Sequence, residues 1–323
     1  AKRIKSANPT RRYCVLTFGS AVTLTTFDGE TLVRSNVTAF DVHPDCELNR
    51  NPVSVTIPDD SVSALLRKIK TDDVRLLATI DENGDATLRV ETGSAGFTLP
   101  AVDADRWETQ TVGIDATGKP CNPVERQPVR ELESNSTKPF QATGGTVVSA
   151  GNLRTALRRT MFASSTESTR YALGGCLCEQ KTDAVTFAAT DSRRLAVYRI
   201  PAETVGELEP SETAAVIPFS ALSIVSDILG RLPDAEPVCV ALTPTEFVIE
   251  SDGRFAVRGR LVEGRFPRYR DVIPTNPEFS FRVSRTAFIE QLETAGIVSD
   301  AENRDMLFTF DGSTVTASAS SPT

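Results

Sequence analysis

Apolar residues along this chain follow two alternating periods, and the switch between them recurs. Four segments of fifteen residues superpose without a gap: VTIPDDSVSALLRKI (55–69), TVVSAGNLRTALRRT (146–160), AVIPFSALSIVSDIL (215–229) and FRVSRTAFIEQLETA (281–295). Each opens on a β-branched strand end (Ile57, Val148, Ile217, Val283), then a Pro or Ser (Pro58, Ser149, Pro218, Ser284). Those residues suit the first turn or cap of a helix, through a fixed φ or a side-chain oxygen that takes a free backbone N–H. Five residues past the strand end stands an apolar anchor: Val62, Leu153, Leu222 or Phe288. The stripe continues at helical spacing through Leu65, Leu66 and Ile69, or through Leu157 and Met161. The pattern predicts a strand that runs into a short amphipathic helix, four times over.

After each helix the period falls to two, as in Val74–Leu76, Thr87–Val90, Val185–Phe187, Val238–Val240, Phe247–Ile249 and Phe308–Phe310. Asn83-Gly84, Asp252-Gly253 and Asp311-Gly312 lie beside such runs and are hairpin signals, because they tolerate positive φ. The unit reads β-α-β-β-β, so the expected class is α+β, built from tandem units. Residues 13–37 read as the strands of a unit without its helix. Residues 113–141, rich in Pro, Gly, Ser and charge, read as a linker. The expected division is a first domain over 1–112 with its N-terminal part missing, the linker, a second domain over 142–275, and the first part of a third over 276–323.

Composition narrows the function by exclusion. The single histidine, His43, lies in a polar stretch, and neither a phosphate-binding glycine loop nor a serine elbow is present. The six cysteines are scattered, with no CxxC pair, so they read as reduced structural thiols. Cys176 and Cys178 are expected on opposite faces of one strand. No enzymatic activity, metal or cofactor is expected. Without a long apolar run or a signal-like start, the expected location is cytoplasmic, with no membrane partner. The net charge of −8 leaves nucleic acid open, because the distribution of basic residues matters more than their sum.

Two local sequences are more specific: TRYALGGCLCEQ (169–180) leading into FAATDSRRLAVYRI (187–200), and GRLVEGRFPRYRDVIPTNP (259–277). Together they resemble the bacterial sliding clamp, the beta subunit of DNA polymerase III, along nearly the whole chain, although apparently without both ends. The resemblance implies clamp domains with helices on an inner face and sheets outside. It implies a head-to-tail homodimer closing a ring round double-stranded DNA as a processivity factor in DNA replication. On the helices, Arg67, Lys68, Lys70, Arg154, Arg158 and Arg159 are then the candidates for sequence-independent phosphate contact. A peptide groove for the replicative polymerase, the clamp loader and repair proteins maps onto Leu173, Thr190, Ser192, Arg194, Leu195, Pro267 and Val272. Ser192-Arg193 stands where the family more often has Gly-His. Phe97 and Leu99 on one side, and Ile297 and Val298 on the other, are candidates for the contact between subunits. The alternative is a clamp-like protein that binds peptides without encircling DNA.

Overall fold

The computed structural model describes residues 13–18, 21–27, 31–38, 53–71, 73–81, 85–93, 95–103, 144–165, 171–206, 214–276, 280–297, 306–312 and 314–319. The expected linker, His43 and Asn83-Gly84 lie outside them. The chain divides into two compact units, Ala1–Pro267 and Arg268–Thr323.

In the first unit, strands β1 (Tyr13–Phe18), β2 (Ala21–Phe27) and β3 (Thr31–Thr38) form an antiparallel meander. Strand β4 (Val53–Pro58) runs straight into helix α1 (Asp59–Lys68), as the Ile57-Pro58 step predicts. A second meander follows: β5 (Arg75–Ile80), β6 (Asp85–Thr92) and β7 (Ala95–Asp103). The sequence then repeats the plan with its helix in both halves. Strand β8 (Gly144–Ser149) enters α2 (Ala150–Thr160), and β9 (Gly175–Lys181), β10 (Ala184–Thr190), β11 (Leu195–Pro201) and the short β12 (Glu203–Gly206) follow. Strand β13 (Ala214–Pro218) enters α3 (Phe219–Leu229), and β14 (Pro237–Leu242), β15 (Glu246–Ser251) and β16 (Phe255–Arg260) complete the unit.

The expected caps form. Ser149 Oγ accepts the Asn152 N–H at 3.3 Å at the start of α2, while Pro218, at φ −57°, holds the residue before α3 in place. Gly253, at φ 65°, supplies the left-handed residue of the β15–β16 turn.

Sheet pairing exchanges partners between the halves of a domain. Strand β8 leaves the strands that follow it and joins β14, while β13 joins β9. One sheet therefore reads β11-β10-β9-β13, and the sheet β12-β8-β14-β15-β16 continues through β3 into β3-β2-β1-β4-β7-β6-β5. The join is antiparallel, with Val257 opposite Val33 and Gly259 opposite Thr31. Two cores result. The larger holds Leu153, Leu157, Phe187, Ile217, Leu222, Leu229, Phe247 and Ile249, none with measurable exposure. The smaller holds Leu16, Val55, Ile57, Val62, Leu88 and Val90. Gln180 crosses the larger core, donating Nε2 to Thr146 Oγ1 at 2.8 Å and to the Val240 carbonyl at 2.7 Å, which satisfies a buried amide that would otherwise be costly.

In the second unit α4 (Arg285–Gly296) is capped by Ser284, and β17 (Leu307–Asp311) pairs with β18 (Thr314–Ser318). The aromatic pairs Phe281–Phe310 and Phe288–Phe308, with centroids 4.9 and 5.9 Å apart, hold it together.

Three expectations need correction. Residues 281–284 lie in no strand of the structure, and Val283 is half exposed. Leu66 points outward rather than into the stripe. Cys176 and Cys178 are two residues apart, a full pleat period, so they share one face, and both are wholly buried in the larger core.

Candidate functional site

The basic residues sit at the C-terminal ends of α1 and α2, where positive charge complements the helix dipole. On α1, Arg67 and Lys68 in the last turn and Lys70 just beyond it are all exposed. On α2, Ala150, Leu153, Ala156, Leu157 and Thr160 face the core, which turns Arg158 and Arg159 outward. Arg159 lies over the Tyr198 ring, 4.7 Å from its centroid, so its stem is steered while the charge stays in water. Arg154, on the same helix, behaves differently. It is half-buried, donates Nη1 to the Leu229 carbonyl at 3.1 Å and pairs with Asp234. Helix α3, which packs beside α2, presents Ser220 and Asp227, with Arg231 just beyond its end, and no basic ridge. The exposed cations among the helix candidates therefore fall into two groups, one on α1 and one on α2.

The second cluster is built on the β10–β11 turn. Thr190 and Leu195 face each other as the last pair of that hairpin. Thr190 Oγ1 donates to the Arg194 carbonyl at 2.7 Å and accepts the Ser192 N–H at 3.1 Å. Asp191 accepts the N–H groups of Arg193 and Arg194, both at 3.0 Å, and the Arg194 Nε at 2.9 Å. Those two backbone bonds, more than the guanidinium, hold the Asp191 carboxyl below its usual range. Ser192 is held at φ 75°, a conformation that costs a residue with a Cβ roughly 1 kcal/mol. Here lies the physical reason that glycine suits this position.

Leu173 is buried in a 3-10 turn whose carbonyl accepts the Ser165 N–H at 2.9 Å. Gly264, at φ 111°, brings the 261–267 segment against Ala172, where a Cβ would lie 3.6 Å from that of Ala172. Pro267 is exposed at the end of this segment. Val272 lies in the second unit, in the turn Tyr269–Val272, and is 71% exposed.

Phe162 is a residue the sequence pattern missed. It lies in the 3-10 turn that continues α2, exposes 58% of its surface, and has the Arg194 guanidinium 5.6 Å from its ring. Its one signal is an aromatic just beyond a helix whose apolar stripe has already ended.

For the intersubunit candidates, Phe97 is exposed, whereas Leu99 packs against the smaller core. Ile297 caps α4 and is 82% exposed, and Val298 lies outside the described residues. Among the described residues no three His, Cys, Asp or Glu side chains group as metal ligands do, and no helix is long and apolar enough to cross a membrane.

Residues 147–268 match the family model of the DNA polymerase III beta subunit, central domain. The span runs from β8 to the end of the Gly264 segment and contains the β10–β11 turn. The chain is similar to the bacterial sliding clamps. It is 25% identical to the beta sliding clamp of Synechocystis over 263 residues, 79% of this chain and 61% of that protein. It is 34% identical to that of Halalkalibacterium halodurans over 147 residues, 46% of this chain and 38% of the relative. The chain thus spans less than two thirds of these sliding clamps. Among solved structures, the sliding clamp of Pseudomonas aeruginosa bound to griselimycin superposes with a TM-score of 0.75 at 20% identity, covering 99% of this chain and 75% of that one. The sliding clamp of Bacillus subtilis gives a TM-score of 0.74 at 20% identity, covering 100% of this chain and 76% of that one. The likeness in fold is to an α+β clamp.

Proposed function

We propose that this protein works as a DNA sliding clamp: a head-to-tail homodimeric ring that encircles duplex DNA in the cytoplasm. In this role it tethers the replicative polymerase, the clamp loader and repair proteins to the DNA by short peptides. It is a scaffold with no chemistry of its own. The observation that carries the proposal is the β3·β16 join, which fuses two clamp cores edge to edge within a chain whose central domain matches the clamp family.

The join also supplies a template for the contact between subunits. Strand β7 holds the place in its meander that β16 holds in the next one. The edge of β7 away from β6 meets β4 only at Val102 and Asp103, and Ala95–Ala101 carry no further strand among the described residues. An unpaired edge is a ready template for another chain. A strand of a second copy, packed over Phe97 and the exposed Ile297 side of the partner's last domain, completes it. Val298, beside Ile297, belongs to the same proposed contact.

Inside the ring, Arg67, Lys68, Lys70, Arg158 and Arg159 contact phosphates without reading bases. The turn that holds Thr190, Ser192, Arg194 and Leu195 forms the peptide groove with Leu173 and Pro267, and Val272 is a further candidate for peptide contact on the second unit. Polar groups there fix the peptide backbone while apolar walls take its anchors.

Sedimentation equilibrium tests the ring contact. A concentration-dependent assembly of two chains, dissociated by Phe97→Asp, is expected. A chain that stays monomeric at all concentrations contradicts it.

A further inference from the structure

The turn between α3 and β14, residues 230–236, is fastened to α2 at several points. The amides of Ala150 and Gly151, among the N–H groups that a helix leaves unpaired at its start, donate to the carbonyls of Glu236 at 2.8 Å and Asp234 at 3.0 Å. One turn further along, Arg154 grips the same region through the Leu229 carbonyl and the Asp234 carboxylate. Leu229 ends α3, so the guanidinium also meets the negative end of that helix. The fit is close: a Cβ on Gly151 would come within 3.0 Å of the Asp234 Cβ.

The other side of this turn holds the sheet join. Glu236 Oε1 accepts Ser251 Oγ at 2.7 Å and Arg254 Nε at 2.8 Å, and its side chain is only 14% exposed, so water screens this pair less than a surface one. The Arg254 carbonyl accepts the N–H of Asn36 at 2.9 Å. Asn36 belongs to β3, so that bond crosses from the larger core's sheet to the smaller core's meander. The backbone and Asp234 hold α2, while the Glu236 carboxylate holds the join.

The structure assigns Asp234 and Glu236 to a polar strut that fixes α2 against the join between the two cores, with Arg154 as a positioning residue in that strut rather than a phosphate ligand. The part concerning phosphate rests on the proposed DNA role of α2. A strut of this kind keeps Arg158 and Arg159 at a set distance from the neighbouring core's cations, so that both patches meet one duplex.

Amide hydrogen exchange on the whole chain tests the strut. Glu236→Gln keeps the shape and the backbone carbonyl but removes the charge. It is expected to speed exchange at Asn36 by about twofold to fivefold, the worth of one part-exposed ion pair, while Phe187 and Ile249 stay unchanged. Asp234→Asn is expected to do the same at Ala150 and Gly151. Unchanged exchange at Asn36 overturns the strut, and so does uniform acceleration through both cores, which marks a general loss of stability. For Arg154, the slope of duplex affinity against salt is the readout, with Arg154→Ala expected to leave it as in the unsubstituted chain. A slope reduced by about one unit makes Arg154 a phosphate ligand and overturns its assignment. A chain that shows no duplex binding overturns the DNA role of α2, while exchange at Asn36 still decides the strut.

Discussion

Helices α1 and α3 begin from the same strand-Pro step, yet their surroundings differ. In α3, Leu222, Val225 and Leu229 are wholly buried, because α2 packs alongside and the sheets close over both helices. In α1, Val62 is buried but Leu65 and Ile69 are only half covered, and Leu66 is 41% exposed. No helix stands beside α1 among the described residues. Likewise β14 has β8 on its outer side, whereas β5, its counterpart, is the last strand of its sheet. An amphipathic stripe specifies that a face will be covered. What covers it is set by the partner exchange between halves of a domain.

The largest effect should appear in the better-covered helix. Leu222→Ala is expected to destabilise the larger core by about 3–5 kcal/mol, whereas Leu66→Ala should cost under about 1 kcal/mol, measured by denaturant unfolding. Equal costs would show that the two helices are covered alike.

The next contrast is electrostatic. Arg158→Ala and Arg159→Ala on α2, and Arg67→Ala on α1, should each lower the salt slope of duplex binding by about one unit. If only one helix responds, the two patches do not share a duplex.

Two buried thiols report on the larger core at high pH. Burial pushes the Cys176 thiol up to about 12 and the Cys178 thiol further still, so the folded state keeps them protonated. The unfolded chain ionises them from about pH 9 upward, so it binds fewer protons there than the folded chain. The stability of the larger core is therefore expected to fall as pH rises past 9, with alkylation of both thiols waiting on unfolding. Rapid alkylation of Cys176 or Cys178 themselves in the native protein at pH 9 would contradict their burial.

The smallest effect is local. Ser192→Gly should stabilise the chain by about 0.5–1 kcal/mol by relieving the positive φ, with the Thr190–Arg194 hydrogen bond kept. No gain would mean that the serine makes a compensating bond.

The unit was legible in the sequence because its signals are local: a cap, a stripe at helical spacing, an alternation and a turn. Ser149, Leu153 and Gly253 each act within a few residues of their own position. The exchange of β8 and β13 was not legible, since alternation tells a strand which face to bury and not which strand to pair with. Nor was the binding of Arg154 to Asp234, eighty residues away, which removes one cation from a row that looked uniform. On the β10–β11 turn, the candidates Thr190, Ser192, Arg194 and Leu195 fall together because they are neighbours on one hairpin. Phe162 and Gly264 reach the same region from distant segments and carried no pattern that would single them out.

The central claim is topological, and the most direct measurement is retention on DNA of different topology. Protein assembled on nicked circular duplex with a clamp loader should remain bound through gel filtration, and should be lost when a single restriction cut makes the same DNA linear. Equal retention on the circle and on the cut DNA would contradict a ring that encircles the duplex.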